Sequence, residues 1–252
     1  MFNVNRQSFF LLAILLVSSL SGFAQERKVQ HKPYIDLRPL HFGIIVGTHL
    51  QDLEFENVGL QTLMDENGAV SERLIVTDAD TWNPGFSVGV LAELRLHENF
   101  ALRFTPSMYF GAKHLAFLDL MDVDEQGRAR KVTQDLKNTY IGLPVNLKFS
   151  APRWNNYRPY ITAGISGMIN LTGENEDYVS LKRFGSMVEV GLGCDFYLPF
   201  FKIIPELKFC YGLGNSLDTN HINELRDANR RAFAGSVRHA QSKMIMLSFY
   251  FE

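Results

Sequence analysis

The chain has 252 residues and a net charge of −2 at pH 7, a balance that leaves no electrostatic footprint for nucleic acid. Its mean hydropathy is close to zero, and past the first segment no apolar run approaches the ~20 residues of a membrane helix. Such averages fit a soluble domain, but they also fit an outer-membrane barrel, whose strands offer lipid only alternate residues.

Residues 1–24 read as a signal peptide: Arg6 precedes an apolar run from Phe9 to Val17, and small residues stand at Gly22 and Ala24. Cleavage is expected after Ala24, and no cysteine follows for lipid attachment. Residues 25–40 are polar, carry Pro33 and Pro39, and read as a short periplasmic lead-in with no plug or binding module. Residues 41–252 then alternate with period two.

One parity is apolar throughout. It runs through Phe42, Ile44 and Val46, then Phe86 to Leu96, then Phe100, Leu102, Phe104, Met108 and Phe110. It continues through Ile141 to Phe149, Ile161 to Ile169, Val188 to Leu198, Ile203 to Leu213, and Ile245 to Phe251. That pattern makes about eight strands of membrane-spanning length. Tight turns are expected at His97–Asn99, Ser150–Tyr157 and Pro199–Lys202. Long polar loops are expected at Asn57–Asn83, Asp119–Lys137, Thr172–Arg183 and Asn215–Ser242. Short turns in the periplasm and long loops outside are the threading of a transmembrane barrel.

The opposite parity holds nearly all the in-strand glycines, with Gly167 an exception, and the charged residues Glu93, Arg95, Arg103, Lys148, Glu189, Asp195, Glu206 and Lys208. Period alone also allows a soluble, lipocalin-like barrel with an apolar interior. The glycines favour the membrane reading, because a solvated strand face gains nothing from glycine, whereas a narrow lumen needs small residues beside its long charged ones. Four acids and four bases can pair there. An eight-stranded lumen fills with side chains, so these groups read as a structural network and not as a solute path. Ten aromatics, namely Phe100, Phe149, Trp154, Tyr157, Tyr160, Phe196, Phe200, Phe201, Tyr250 and Phe251, cluster near the periplasmic ends as an interfacial girdle would.

Motifs that carry chemistry are not found. There is no GxSxG, P-loop, HExxH or CxxC, and nothing calls for a catalytic residue, cofactor or metal. Barrel enzymes place a histidine near a strand end, and His49, His97 and His114 are so placed, without an evident serine and acid partner. Cys194 and Cys210 fall on opposite parities and are expected to stay unpaired. In the fourth loop, His221 to Phe233 could form a helix after an Asn220 cap. Ile222, Leu225 and Phe233 would lie to one side, and Arg226, Arg230 and Arg231 outward. With Arg238 the loop is basic. It reads as a solvated face or as a docking surface for a partner or for lipopolysaccharide phosphates.

Several stretches resemble the PorT family of Bacteroidetes: His41-Phe42-Gly43, Gly85 to Gly89 with Leu94-Arg95-Leu96, Leu102-Arg103-Phe104, Tyr140 to Val145 and Arg158-Pro159-Tyr160. The strongest match runs from Glu189 to Lys202, followed by Pro205 to Phe209 and Tyr211-Gly212-Leu213. The resemblance implies an eight-stranded antiparallel up-and-down barrel in the outer membrane, tied to the type IX secretion system, without catalytic residues. It covers nearly the whole mature chain, and the loops diverge most. Expected partners are outer-membrane lipid and other envelope or secretion proteins. The alternative is an autonomous barrel that binds a ligand, adheres or braces the membrane.

Overall fold

The computed structural model describes residues 29–64, 70–123, 127–172, 178–219 and 228–252. The expected signal peptide and its cut after Ala24 lie outside these residues. Eleven antiparallel strand segments follow in chain order: β1 (Leu40–Asn57), β2 (Leu60–Met64), β3 (Val70–Thr81), β4 (Asn83–Arg95), β5 (Phe100–Phe104), β6 (Ser107–Val123), β7 (Ala129–Ser150), β8 (Tyr157–Asn170), β9 (Phe184–Tyr197), β10 (Lys202–Leu213) and β11 (Val237–Phe251). One short helix, α1 (Ala228–Ala234), precedes β11.

The sheet closes because β1 pairs with both β11 and β4. The ring has eight members, since β5 and β6 are one strand interrupted at Thr105 and Pro106. Both halves pair with β4 on one side and β7 on the other, in unbroken register. Pro106 lacks the N–H that the ladder would use there, and its carbonyl still accepts from Val90 N–H at 3.1 Å. The three tight turns lie at the expected places, joining β4 to β5, β7 to β8 and β9 to β10.

The lipid-facing parity is the expected one. Phe42, Ile44, Val88, Val90, Val145, Leu147, Ile161, Ile165, Leu192 and Phe209 are all exposed. Eight of the ten girdle aromatics face outward at the periplasmic rim, where Phe100 lies 5.0 Å from Phe149 and Trp154 lies 5.7 Å from Tyr157. Tyr160 and Tyr250 do not join them. Both lie on the inward parity and are buried in the lumen, 4% and 1% exposed.

The long connections differ from the expectation of polar loops. A strand needs about 9–11 residues to cross a bilayer, yet β1 has 18, β6 has 17 and β7 has 22. The wall therefore continues beyond the membrane. There β3 runs down into β4 and pairs with the upper half of β6, with β2 on its free edge.

Along these extensions the alternation changes phase. On β6 the apolar residues Met108 and Phe110 face lipid, whereas higher up Leu115 and Phe117 face inward and are fully buried; on β1, outward Phe42 to Val46 gives way to inward Leu53. Water surrounds the upper wall, so the hydrophobic effect that points side chains outward in lipid points them inward here.

The result is an apolar cap over the barrel. Leu53, Ile75, Leu115, Phe117, Leu136, Val179, Leu217, Phe233 and Val237 form one buried cluster. Phe117, Tyr178 and Phe233 meet as a three-ring contact with centroids 5.3–5.8 Å apart. The third connection is tied down by Gln134, whose amide donates to Val179 O and accepts from Val179 N–H, each at 3.1 Å. A bridge between Leu181 and Leu217 joins the third and fourth connections. Below the cap lies a sulfur-rich layer of Met168, Met187, Cys210, Met244 and Met246 with Tyr109. Isolated buried polar groups such as His49, Gln51 and Lys113 lie beside or above it.

Candidate functional site

The inward parity of β4, β5, β7, β9 and β10 delivers the charged residues to one layer. Arg103, fully buried, is its centre: its guanidinium donates to Glu93 Oε2 at 2.8 and 3.0 Å, to Glu206 Oε2 at 2.7 Å and to the Tyr160 hydroxyl at 3.2 Å. It also lies 4.9 Å from the ring centroids of both Tyr160 and Tyr250. Lys148 reaches Asp195 at 2.8 Å and Glu93 at 3.5 Å. Lys208 reaches Glu189 at 3.0 Å and Glu206 at 3.4 Å. Hydroxyls of Tyr160 and Tyr250 each donate to Glu206 at 2.7 Å, and Asn146 donates to Glu189 at 3.2 Å. A buried charge costs several kcal/mol unless it is paired and its remaining hydrogen-bonding capacity is met, and here each of these seven residues has an ionic partner.

Seven of the eight charged residues expected in the lumen are brought together. Arg95 is not: it is half-buried at the periplasmic mouth, where it donates to Leu37 O at 3.3 Å. It is the last residue of β4, too low to reach the layer. Two residues were missed. Lys202, 2% exposed, pairs with Glu252 at 2.8 Å, and Glu252 also bonds His41. The signal was present in the sequence, because Lys202 shares the parity of Glu206 and Lys208; assigning it to the preceding turn concealed it.

Glycine makes this packing possible. A Cβ on Gly193 would drive into the Tyr160 ring, whose Cε1 would lie 2.9 Å away, so only glycine lets Tyr160 lie across β9 and reach Glu206. The lead-in crosses the same mouth. Asp36 lies 3.6 Å from Arg153 and accepts from the Tyr197 hydroxyl at 2.7 Å, and the Arg153 guanidinium stacks 3.5 Å from the Tyr197 ring centroid.

The basic loop is only partly described. Arg226, Ile222 and Leu225 lie outside the described residues. The helix expected over His221 to Phe233 is seen as Ala228–Ala234, with Ala232, Phe233 and Ala234 buried in the cap. Arg230 is half-buried, and Arg231 and Arg238 are exposed. The three histidines are not brought together: His49 is buried in the lumen against Gln51 at 2.8 Å, His97 lies in a periplasmic turn, and His114 pairs with Asp135 on the outer wall. Cys194 and Cys210 are both free. Among the described residues no group of three or more His, Cys, Asp and Glu side chains could hold a metal.

A closed eight-stranded ring with an apolar outer belt, an aromatic rim and a salt-bridged lumen defines an outer-membrane β-barrel protein. By sequence the chain belongs to the outer membrane protein beta-barrel domain family, which it matches over residues 23–218. None of the curated proteins matches it. Similar solved structures include OprG of Pseudomonas aeruginosa, 10% identical, covering 83% of this chain and 92% of that one with a TM-score of 0.39. Ail of Yersinia pestis is 12% identical, covering 83% and 96% with a TM-score of 0.33. The protease OmpT of Escherichia coli is 10% identical, covering 89% and 97% with a TM-score of 0.37.

Proposed function

We propose that the protein is a non-enzymatic component or accessory of the type IX secretion and gliding machinery that works through contacts of its surfaces with other envelope proteins. The observation that carries this reading is that side chains close the lumen at two levels. The charged layer around Arg103 and the apolar cap around Phe117 both occupy the lumen, which leaves the rims and outer loops as working surfaces. The stretch that most resembles the PorT family, Glu189 to Lys202, gives Glu189, Asp195 and Lys202 to the interior and Phe196, Phe200 and Phe201 to the periplasmic rim. The resemblance therefore spans both the scaffold and a surface that periplasmic partners could meet.

The test is a clean deletion in a bacterium with a type IX system, complemented by the intact chain. Retention of cargo in the periplasm, relieved by complementation, supports the proposal; normal export overturns it. A second reading, an autonomous barrel with a ligand, is favoured by one observation, a cavity beside Lys113.

A further inference from the structure

Lys113 differs from every other buried lysine of the lumen. Lys148, Lys202 and Lys208 each have a carboxylate within 3.0 Å. Lys113 is as deeply buried, 3% exposed, yet its ammonium makes one long hydrogen bond, 3.3 Å to Ser242 Oγ, and faces the Tyr140 ring at 5.6 Å. No carboxylate lies within salt-bridge distance of it among the described residues. An ammonium has three hydrogens to donate, and Asp52, the carboxylate whose charge acts on it, stays beyond salt-bridge distance, so its burial is only partly offset.

That ammonium lines a cavity with an empty volume of ≈ 490 Å³, mouth included, between the sulfur-rich layer and the Leu181–Leu217 bridge. Tyr140, Met168, Met187 and Met244 form the inner wall, and methionine adapts to varied apolar shapes. The mouth is at the start of β9, where Phe184, Gly185 and Ser186 are exposed, with exposed Lys182 and Arg183 beside it. Phe184 pairs with Ile169 at the upper end of the lipid-facing parity, so the mouth stands at the outer edge of the apolar belt. Thioethers alone would suit a soft cation such as copper(I), but the ammonium among them repels cations and selects an anion.

We infer that this cavity is a binding site for a small anionic amphiphile, its carboxylate or phosphate head on Lys113 and its apolar part against the methionines. The ligand could enter from the outer leaflet or from the medium as a free acid; both offer the same head chemistry. The inference does not rest on the secretion reading, because its argument uses only Lys113 and the residues that line the cavity with it.

The experiment places the protein, labelled with ¹³C at its methionine methyls, in nanodiscs of zwitterionic lipid and titrates dodecanoate. The methyls of Met168, Met187 and Met244 should shift while lipid-facing Met108 does not, and dodecyltrimethylammonium should leave all of them unmoved. Lys113→Met should weaken dodecanoate binding at least tenfold. Gly185→Trp, at a position whose Cβ would meet nothing within 4 Å, should block the mouth without disturbing the lumen and abolish the shifts, which keeps the test sound if the lysine variant misfolds. Mass spectrometry of protein taken from native outer membrane distinguishes the sources: a co-purifying phosphate lipid that Lys113→Met loses supports the leaflet, and dodecanoate binding with no retained lipid supports the free acid. Absence of shifts at the three methyls, equal response to the cationic amphiphile, or undiminished binding by both variants overturns the site.

Discussion

Replacing Arg103 with methionine removes the centre of the charged layer while keeping an unbranched side chain of moderate length. Glu93 would lose two hydrogen bonds, at 2.8 and 3.0 Å, and keep only Lys148 at 3.5 Å. Glu206 would lose its 2.7 Å contact but retain Lys208 and both tyrosine hydroxyls. The damage therefore falls mainly on Glu93, a buried carboxylate left with one weak partner. Removing one side of a buried ion pair costs about 3–5 kcal/mol, which is roughly a hundred- to several-thousand-fold in the unfolding equilibrium. Urea unfolding of the barrel in lipid vesicles, read from the compact band on an unheated detergent gel, measures it. Adding Glu93→Gln to Arg103→Met should recover a large part of the loss, because the orphaned charge goes with the substitution. If the single variant stays within about 1 kcal/mol of the parent, or the second change deepens the loss, the lumen layer does not hold the strands as argued.

Val190→Arg puts a charge on the lipid face of β9, where Val190 is 51% exposed, and should cost about 2–4 kcal/mol in vesicles; the same unfolding assay reads it. Phe117→Ala empties the centre of the cap, a loss of about 3–5 kcal/mol to that region. It should speed proteolysis of the outer connections while the membrane-embedded strands stay protected. Burial would raise the Glu252 carboxyl, but the His41 bond and the Lys202 ammonium outweigh it and hold the group below the ordinary carboxylate range. Its folded pKa being the lower, its stabilisation is present above the unfolded pKa and lost as pH falls through the folded value. Glu252→Gln should therefore weaken the barrel at pH 7 and make no difference once the solution is acidic enough to protonate Glu252, which paired unfolding curves across that range would check.

How much was legible in the sequence depends on where each strand lies. In the bilayer, period two separated Phe42 from Gly43 and Val190 from Gly191, and the ring, the tight turns and the lipid face followed. Misassignments came at boundaries. Tyr160 and Tyr250 carry aromatic rings near the rim, but their parity is inward and their hydroxyls serve Glu206. Arg95 has the right parity at the wrong height. Above the membrane the signal reverses sense: on β6 a single apolar face cannot contain both Phe110 and Phe117, because the surrounding medium changes from lipid to water between them. A constant-phase reading breaks there and returns a loop. The cap also depends on contacts across 116 residues of chain, such as Phe117 with Phe233, which no local pattern encodes.

The length of β7 has a geometric consequence. At ~3.3 Å per residue and a tilt near 40°, its 22 residues rise roughly 55 Å along the barrel axis, against an apolar band of about 25 Å. Its periplasmic end stops one residue past the Phe149 rim, so nearly all the excess, roughly 25–30 Å, stands on the cell exterior as rigid paired wall. A tower of that height carries its summit clear of the lipid headgroups and into the surface carbohydrate. A second macromolecule approaching from outside would therefore meet this barrel before it met the bilayer.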